Sequence, residues 1–311
     1  MAKLEHEIKN HHLSINSLLR KKTSMKYFSN TAFKIMCLVS ALLLGVVLLS
    51  IVVFIGKTGL IVFKDVSLKE YFFSTTWDPY SEKYGAAIFI LGTLSLTAVT
   101  MVFAIPLSLG VAIFIVEVAP DWLKRIIRPI LDLLVGIPSI IYGYLGLTIL
   151  IPFLIKITGA IMGDGLLAAA LVLTLMVLPT IARISDDAIT AVPVELREAS
   201  YALGSSRFQT IAKVVIPAAK PGIMTAIILG MGRALGETMA VVMVIGNTAQ
   251  LPETLLTPTS VLTSNIVMQI LDVQFDSTWS YALYMMAFLL LLISISMILI
   301  VRRIRTKGDM R

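Results

Sequence analysis

The stretch GIMTAIILGMGRALGETMAVVMVIG, residues 222–246, is apolar except for two charges, Arg233 and Glu237. Its length is close to the ~20 residues a helix needs to cross ~30 Å of hydrocarbon. The composition agrees with that reading: 57% of the 311 residues are hydrophobic and 14% charged, and the mean hydropathy is +0.90. A soluble domain of this length has no way to hide so much apolar surface. Five further runs carry no charge: Ile35–Gly56, Gly85–Val116, Leu133–Ile155, Gly165–Ala182 and Ser277–Val301. The expectation is an all-α membrane protein with six transmembrane helices.

The net charge of +7 would suggest nucleic acid in a soluble protein, but its distribution points to a membrane. Lys and Arg collect in residues 1–31, after the second span (Lys124, Arg125, Arg128), after the fourth (Arg183, Arg197, Arg207, Lys213, Lys220) and at the C-terminus. In the alternate connections Lys57, Lys64, Lys69 and Lys83 are matched by Asp65, Glu70, Asp78 and Glu82, and residues 247–279 hold no basic residue. The positive-inside rule then places both termini in the cytoplasm. Trp77, Trp122 and Trp279 stand near span ends, where interfacial anchors belong. The single cysteine, Cys37, permits no disulfide within the chain.

The connections differ in character. Residues 1–31 form a polar tail with His6, His11 and His12, read as solvated because nothing nearby completes a metal-ligand set. Residues 57–84 are rich in aromatics (Tyr71, Phe72, Phe73, Trp77, Tyr80, Tyr84), as in a segment lying against the outer interface. SVLTSNIVMQIL, residues 260–271, reads as a short external helix resting on the membrane or on a partner. Residues 183–221 form the longest cytoplasmic connection. There PVELREASYALG reads as a short helix, with Pro193 at its start and Gly204 just past its end. SSRFQ then offers a capping box, Ser206 with Gln209, opening a second helix expected to stop before Pro217. Two short helices just under the membrane suit either a surface for another protein or a structured loop.

Several chemistries find no support. GKT at 56–58 lacks the P-loop glycine five residues earlier, where Ile51 stands, so no nucleotide site is expected. GMGRALG at 230–236 resembles a dinucleotide fingerprint without its strand; Gly232 and Gly236 read better as a small-residue face for helix packing. No Cys/His cluster exists for a metal, no base stands beside the serines and threonines of the spans, and no cofactor is expected.

The charged pair then needs a reason. Arg233 is eleven residues into its run, roughly 16 Å by helical rise and near the midplane. A charge there costs about 2.5–3.5 kcal/mol on insertion scales. An internal i,i+4 ion pair is one reading, although acid-before-base is the better helical order and the order here is reversed. The other is a pathway for an anion, whose oxygens suit the arginine fork, with Glu237 holding that fork or competing for it.

The 183–221 loop resembles the "EAA" loop of ABC-importer permeases. Glu198, Ala199 and Gly204 match, Ser200 replaces the second alanine, and Val214, Ile216 and Pro217 stand at the closing Ile, Leu and Pro positions. GIPSIIYGYLG (136–146) and GRALGETMAVVMVIGN (232–247) are similar to the Pst-type phosphate-import permeases. That resemblance implies a type I importer permease bundle with a cytoplasmic coupling helix at 193–204, seated in an ATPase through Glu198, Ala199 and Gly204. It implies Arg233 and Glu237 along the phosphate path. The partners implied are a homologous permease forming a heterodimer, two copies of a cytoplasmic ATP-binding subunit, and an external phosphate-binding protein; ATP hydrolysis would lie on a separate chain. The organisation expected is a tail at 1–31, the first helix and external segment at 32–84, a permease core at 85–303, and a basic tail at 304–311. An importer for molybdate or sulfate, and an ion-coupled secondary transporter, are the alternatives.

Overall fold

The computed structural model describes residues 32–308, with side chains placed through Arg303. The histidine-bearing tail lies outside the described residues. Among these, six helices are long and apolar enough to cross a membrane: α1 (Ala32–Lys64), α3 (Ala87–Val118), α5 (Ser139–Thr158), α6 (Leu166–Thr190), α8 (Arg207–Gly236) and a last one, α11, whose spanning part is Thr278–Arg303. Shorter helices are α2 (Leu68–Phe73), α4 (Asp121–Val135), α7 (Val194–Ala202), α9 (Met239–Val242) and α10 (Leu262–Gln269). The chain divides into two compact units, Met1–Ile55 and Gly56–Arg311. Of the first, the described part is helical, and its residues 32–51, Cys37 included, are exposed. The last helix continues to Gly308, through most of the stretch expected to be a tail.

In the second unit α6 is the central element: 61% of its most apolar window is buried, against 17–33% for the other spans of that unit. It packs against α3, α4 and α8. Small residues allow this. Ala168, Ala169, Ala170 and Ala182 are fully or almost fully buried, and a Cβ built at Gly230 of α8 would collide with the Ile181 side chain of α6. Hydroxyls add cross-helix bonds, Ser108 donating to the Leu178 carbonyl (3.2 Å) and Thr174 to the Thr100 carbonyl (3.4 Å). Such bonds join helices where lipid offers no hydrophobic drive between them.

The fifth span differs from expectation at both ends. It opens at Arg207, after the capping box that Ser206 and Gln209 do form, and does not stop at Pro217. A wide π turn over Ile211–Val215 precedes that proline, which then sits in the first turn of the following α segment. Proline has no N–H to offer, and the π turn shifts the bonding pattern where the helix passes it. At its far end the helix stops at Gly236. Glu237 is extended (φ −71°, ψ 130°), and the chain resumes helical form only as the one-turn α9. The span read as continuous is a broken helix. Gly246, in the left-handed region at φ +90°, ends this segment next to Pro258 and Asp164.

The motif at 136–146 acquires a packing reason from that break. α9 lies on α5, and a Cβ at Gly143 would stand 2.9 Å from the Ala240 Cα. One at Gly146 would stand 2.6 Å from Val172 Cγ2 and 2.8 Å from Val244 Cγ1. Only glycine admits the broken segment this closely.

At the end of the bundle remote from α7, the connecting segments build a core of their own. Tyr71 is fully buried and donates to the Ala282 carbonyl at 2.8 Å; burial raises the pKa of its phenol, which therefore stays protonated and donating. Phe63 and Phe72 pack on Tyr71, and Trp77 packs on Tyr84 and Phe89 beside a two-residue hairpin, β1 (Trp77–Asp78) with β2 (Lys83–Tyr84). Much of the aromatic segment is thus internal, while Phe73 and Tyr80 remain exposed. Trp77 and Trp279 donate their indole N–H groups to the same Gln269 oxygen (3.2 and 2.8 Å), so they brace α10 as well as marking span ends. Helix α10 forms where expected, but its Leu262, Thr263, Ser264 and Asn265 are buried within this chain and do not rest on its surface. An open cavity of about 770 Å³ at this end is lined by Asp65, Glu82, Asp272 and Asp276.

Gly143→Val is expected to lower the melting temperature of the purified chain, by overpacking of about 1–3 kcal/mol. Gly110→Ala, with open space around its Cβ position, is expected to leave that temperature unchanged or raise it.

Candidate functional site

Arg233 stands in the last turn of α8 and Glu237 just beyond it. The helix break separates what an unbroken helix would have placed as i,i+4 neighbours, and no ion pair joins them among the described residues. Each side chain is instead engaged elsewhere. Arg233 Nη1 donates to Thr180 Oγ1 on α6 at 2.8 Å. A Glu237 carboxylate oxygen accepts from the Ala240 N–H at 3.1 Å, capping α9. The Glu237 carbonyl accepts from the Thr263 hydroxyl at 3.1 Å, which ties α10 to the break. Both side chains are half-buried. An arginine at a helix C-terminus also sits well with the helix dipole. The internal ion-pair reading is thereby corrected: Glu237 does not hold the fork, and Thr180 does.

Gly232 and Gly236 do not pack against another helix among the described residues. There no heavy atom outside their own helix backbone lies within 4 Å of a Cβ built at either, and Gly236 is exposed. The close helix approaches are made by Gly222, facing Ala188, and by Gly230. The two glycines beside Arg233 therefore border open space, which leaves room near the guanidinium.

The loop after α6 takes the expected form. α7 spans Val194–Ala202, with Pro193 at its cap. Gly204 has φ +78°, and the closing bonds run from Gly204 N–H to the Tyr201 carbonyl and from Ser205 N–H to the Ser200 carbonyl. Glu198, Ala199 and Gly204 are all exposed. Around them lie Leu203 (87% exposed) and Phe208 (78%), with Val194 and Tyr201 also bare. Large apolar side chains this exposed, rimmed by charge, mark a surface that another macromolecule covers. Ser200, the departure from the EAA pattern, is buried and shares a 2.9 Å hydrogen bond with Thr210 of α8. The hydroxyl thus fastens the two helices to each other.

Two charged clusters, not anticipated from the sequence, hold this loop. Asp186 on α6 is fully buried, and Arg128 of α4 grips both its oxygens at 2.8 Å. Arg183 reaches Asp186 (3.1 Å), Asp187 (2.9 Å) and Asp132 of α4 (3.1 Å), and Thr190 donates to Asp186 at 3.2 Å. Beside this, Arg197 of α7 donates to Glu117 at the end of α3 (3.1 and 3.3 Å) and to the carbonyls of Val192 (2.6 Å) and Ile189 (3.1 Å). The i, i+3, i+4 spacing of Arg183, Asp186 and Asp187, opposite Arg128 and Asp132, was the available sequence signal. Among the described residues no group of three or more His, Cys, Asp or Glu is placed to hold a metal ion.

A membrane bundle with an exposed two-helix loop braced on its central span is the fold of an importer permease. The chain belongs to the family described as the binding-protein-dependent transport system inner membrane component, which matches residues 104–307. It is a multi-pass inner-membrane permease of the ABC importer class, whose members work with a partner permease, an ATPase and a substrate-binding protein. It is 42% identical over 271 residues to the "Probable ABC transporter permease protein YqgH" of Bacillus subtilis, covering 86% of this chain and 88% of that one. It is 34% identical over 315 residues to the "Phosphate transport system permease protein PstC" of Haemophilus influenzae, covering 92% and 98%. Among solved structures, the MetNI methionine ABC transporter in an inward-facing conformation aligns with TM-score 0.55 at 25% identity over 70% of this chain and 93% of that one. A bacterial alginate importer aligns with TM-score 0.58 at 15% identity, over 82% and 88%, a likeness of fold.

Asp186→Ala leaves two arginines facing a buried gap, and breaking such a pair costs about 3–5 kcal/mol. The expected outcome is a strong fall in melting temperature or in the amount of folded chain in the membrane; Asp187→Ala, at the exposed edge of the same cluster, should move either by much less.

Proposed function

We propose that this permease carries inorganic phosphate, and that Arg233 and Glu237 line its path. One observation carries the reading: a guanidinium in an apolar span whose single hydrogen bond among the described residues goes to a neutral hydroxyl, with no carboxylate on it. Even a half-buried charge in an apolar span is costly without a counter-ion, and an oxyanion in transit supplies the missing charge. The resemblance of residues 232–247 to phosphate permeases, and the PstC relatives, support phosphate over other oxyanions. Glu237 keeps anions from binding too tightly, since its own charge opposes theirs.

In this reading α7 is the coupling helix. It docks through Glu198, Ala199 and the Leu203–Phe208 surface into one subunit of a cytoplasmic ATPase dimer, ATP is hydrolysed on that separate chain, and a homologous permease completes the path. An external phosphate-binding protein delivers the substrate. Both termini are cytoplasmic, in keeping with the distribution of Lys and Arg. Alternating access follows as the bundle rocks against its partner.

The test is radiolabelled phosphate uptake in cells lacking their own high-affinity permease and supplied with the partner subunits, with sulfate and molybdate as competitors. The intact chain is expected to restore uptake and Arg233→Ala to abolish it while the complex still assembles. Normal uptake by Arg233→Ala would remove the pathway assignment. Inhibition by sulfate or molybdate at concentrations matching phosphate would remove the phosphate specificity. Gly204→Val, strained at φ +78°, is expected to reduce both ATPase co-purification and uptake at least about tenfold; unchanged values would detach α7 from coupling.

A further inference from the structure

The arginine at the break is held from another helix, and that helix is the one the coupling loop is fastened to. Arg233 Nη1 rests on Thr180 Oγ1 at 2.8 Å. Thr180 lies on α6 nine residues before Ile189, about 13–14 Å along the axis at helical rise. The Ile189 carbonyl accepts from Arg197 of α7, and Asp186 between them is locked to α4. α6 is the most buried span of its unit.

We propose that Thr180 is a positioning residue for Arg233: its hydroxyl fixes the guanidinium from α6, so that displacement of α6 by the coupling loop moves the anion contact. The inference rests on the assignment of Arg233 to the pathway. With Nη1 engaged, the Nε–Nη2 edge has no hydrogen-bond partner among the described residues. That edge makes the two parallel bonds by which arginine recognises a carboxylate or phosphate. A hydroxyl that accepts one hydrogen bond still has its proton to donate, so Thr180 offers a neutral donor beside the cation. Neutrality is the useful property. A carboxylate in the place of Thr180 would fix the arginine equally well and would also cancel the charge that attracts an anion. Threonine orients the fork and leaves its charge intact. Pro179, immediately before it and buried, belongs to the same helix and restricts the backbone there.

The test uses the whole transporter in the uptake assay above, with rates expressed per amount of chain in the membrane. Thr180→Val keeps the shape and removes the hydroxyl oxygen. It is expected to lower the maximal rate on the order of tenfold, the size of one hydrogen bond to a charged group. The half-saturating phosphate concentration should stay unchanged, because capture by the external binding protein precedes the path. Thr180→Ser restores the oxygen and is expected to stay within about twofold of the intact chain. ATPase co-purification should be the same for all forms. If the valine form does not accumulate, Thr180→Ala is read in the same way. A valine or alanine form that transports at the intact rate overturns the proposal, and so does a serine form as slow as valine at normal abundance. Arg233→Ala, run in parallel, separates the two levels. If it transports normally, the pathway assignment itself fails; if it is inactive while Thr180→Val is normal, only the positioning role fails.

Discussion

A buried carboxylate inside a membrane protein survives only with opposite charge close by, and Asp186 has two arginines on it. Everything at this end of the bundle is arranged around that demand. Arg128 brings α4 against α6, Arg183 shares itself among three carboxylates, and Thr190 fills the remaining acceptor position. The result is a rigid plate formed by α4 and the end of α6. Arg197 then fastens α7 to the edge of that plate through two backbone carbonyls and Glu117. A short helix with mostly exposed side chains would otherwise have little to hold it, since a helix of nine residues is marginal alone.

The segment after Arg233 is held differently, by burial and by bonds to its broken backbone. The helix stops inside the apolar run, and its continuation, with Ala240, Val241, Val244 and Ile245 buried, is tied by Ala240 N–H to the Glu237 side chain, by Thr263 to the Glu237 carbonyl, and by Gly165 and Thr259 N–H groups to the Val244 and Ile245 carbonyls. Gly143 and Gly146 give it room against α5. Broken helices in membranes are tolerated where protein or a water-filled cavity covers the freed backbone. Here α5 and α10 supply the covering, and the break sets the two charges of the span apart.

Much of this was legible in the sequence because it is written in one-dimensional signals. The spans follow from uncharged length, α7 from Pro193 and Gly204, and the start of α8 from Ser206 and Gln209. What was not legible depends on three dimensions. Pro217 normally argues for an end, yet a π turn carries the helix past it. The Glu237–Thr238 break has no proline to announce it, only Gly236 and a backbone carbonyl that Thr263 is placed to satisfy. Thr180 is one hydroxyl among many in the spans, and nothing in its neighbourhood along the chain marks it as the partner of an arginine 53 residues away. The buried α10 was misjudged because its polar Thr263, Ser264 and Asn265 read as surface, whereas each finds a partner inside.

The cavity framed by Asp65, Glu82, Asp272 and Asp276 sits among matched charges. Lys64 and Lys83 are chain neighbours of Asp65 and Glu82, and Asp65 accepts from the Thr278 hydroxyl at 2.8 Å. Beyond a Debye length, about 8 Å at physiological salt, opposite charges this close largely cancel. At contact range the carboxylates are hydrogen-bond acceptors, so the lining is chemically matched to donor groups and not to a bare anion.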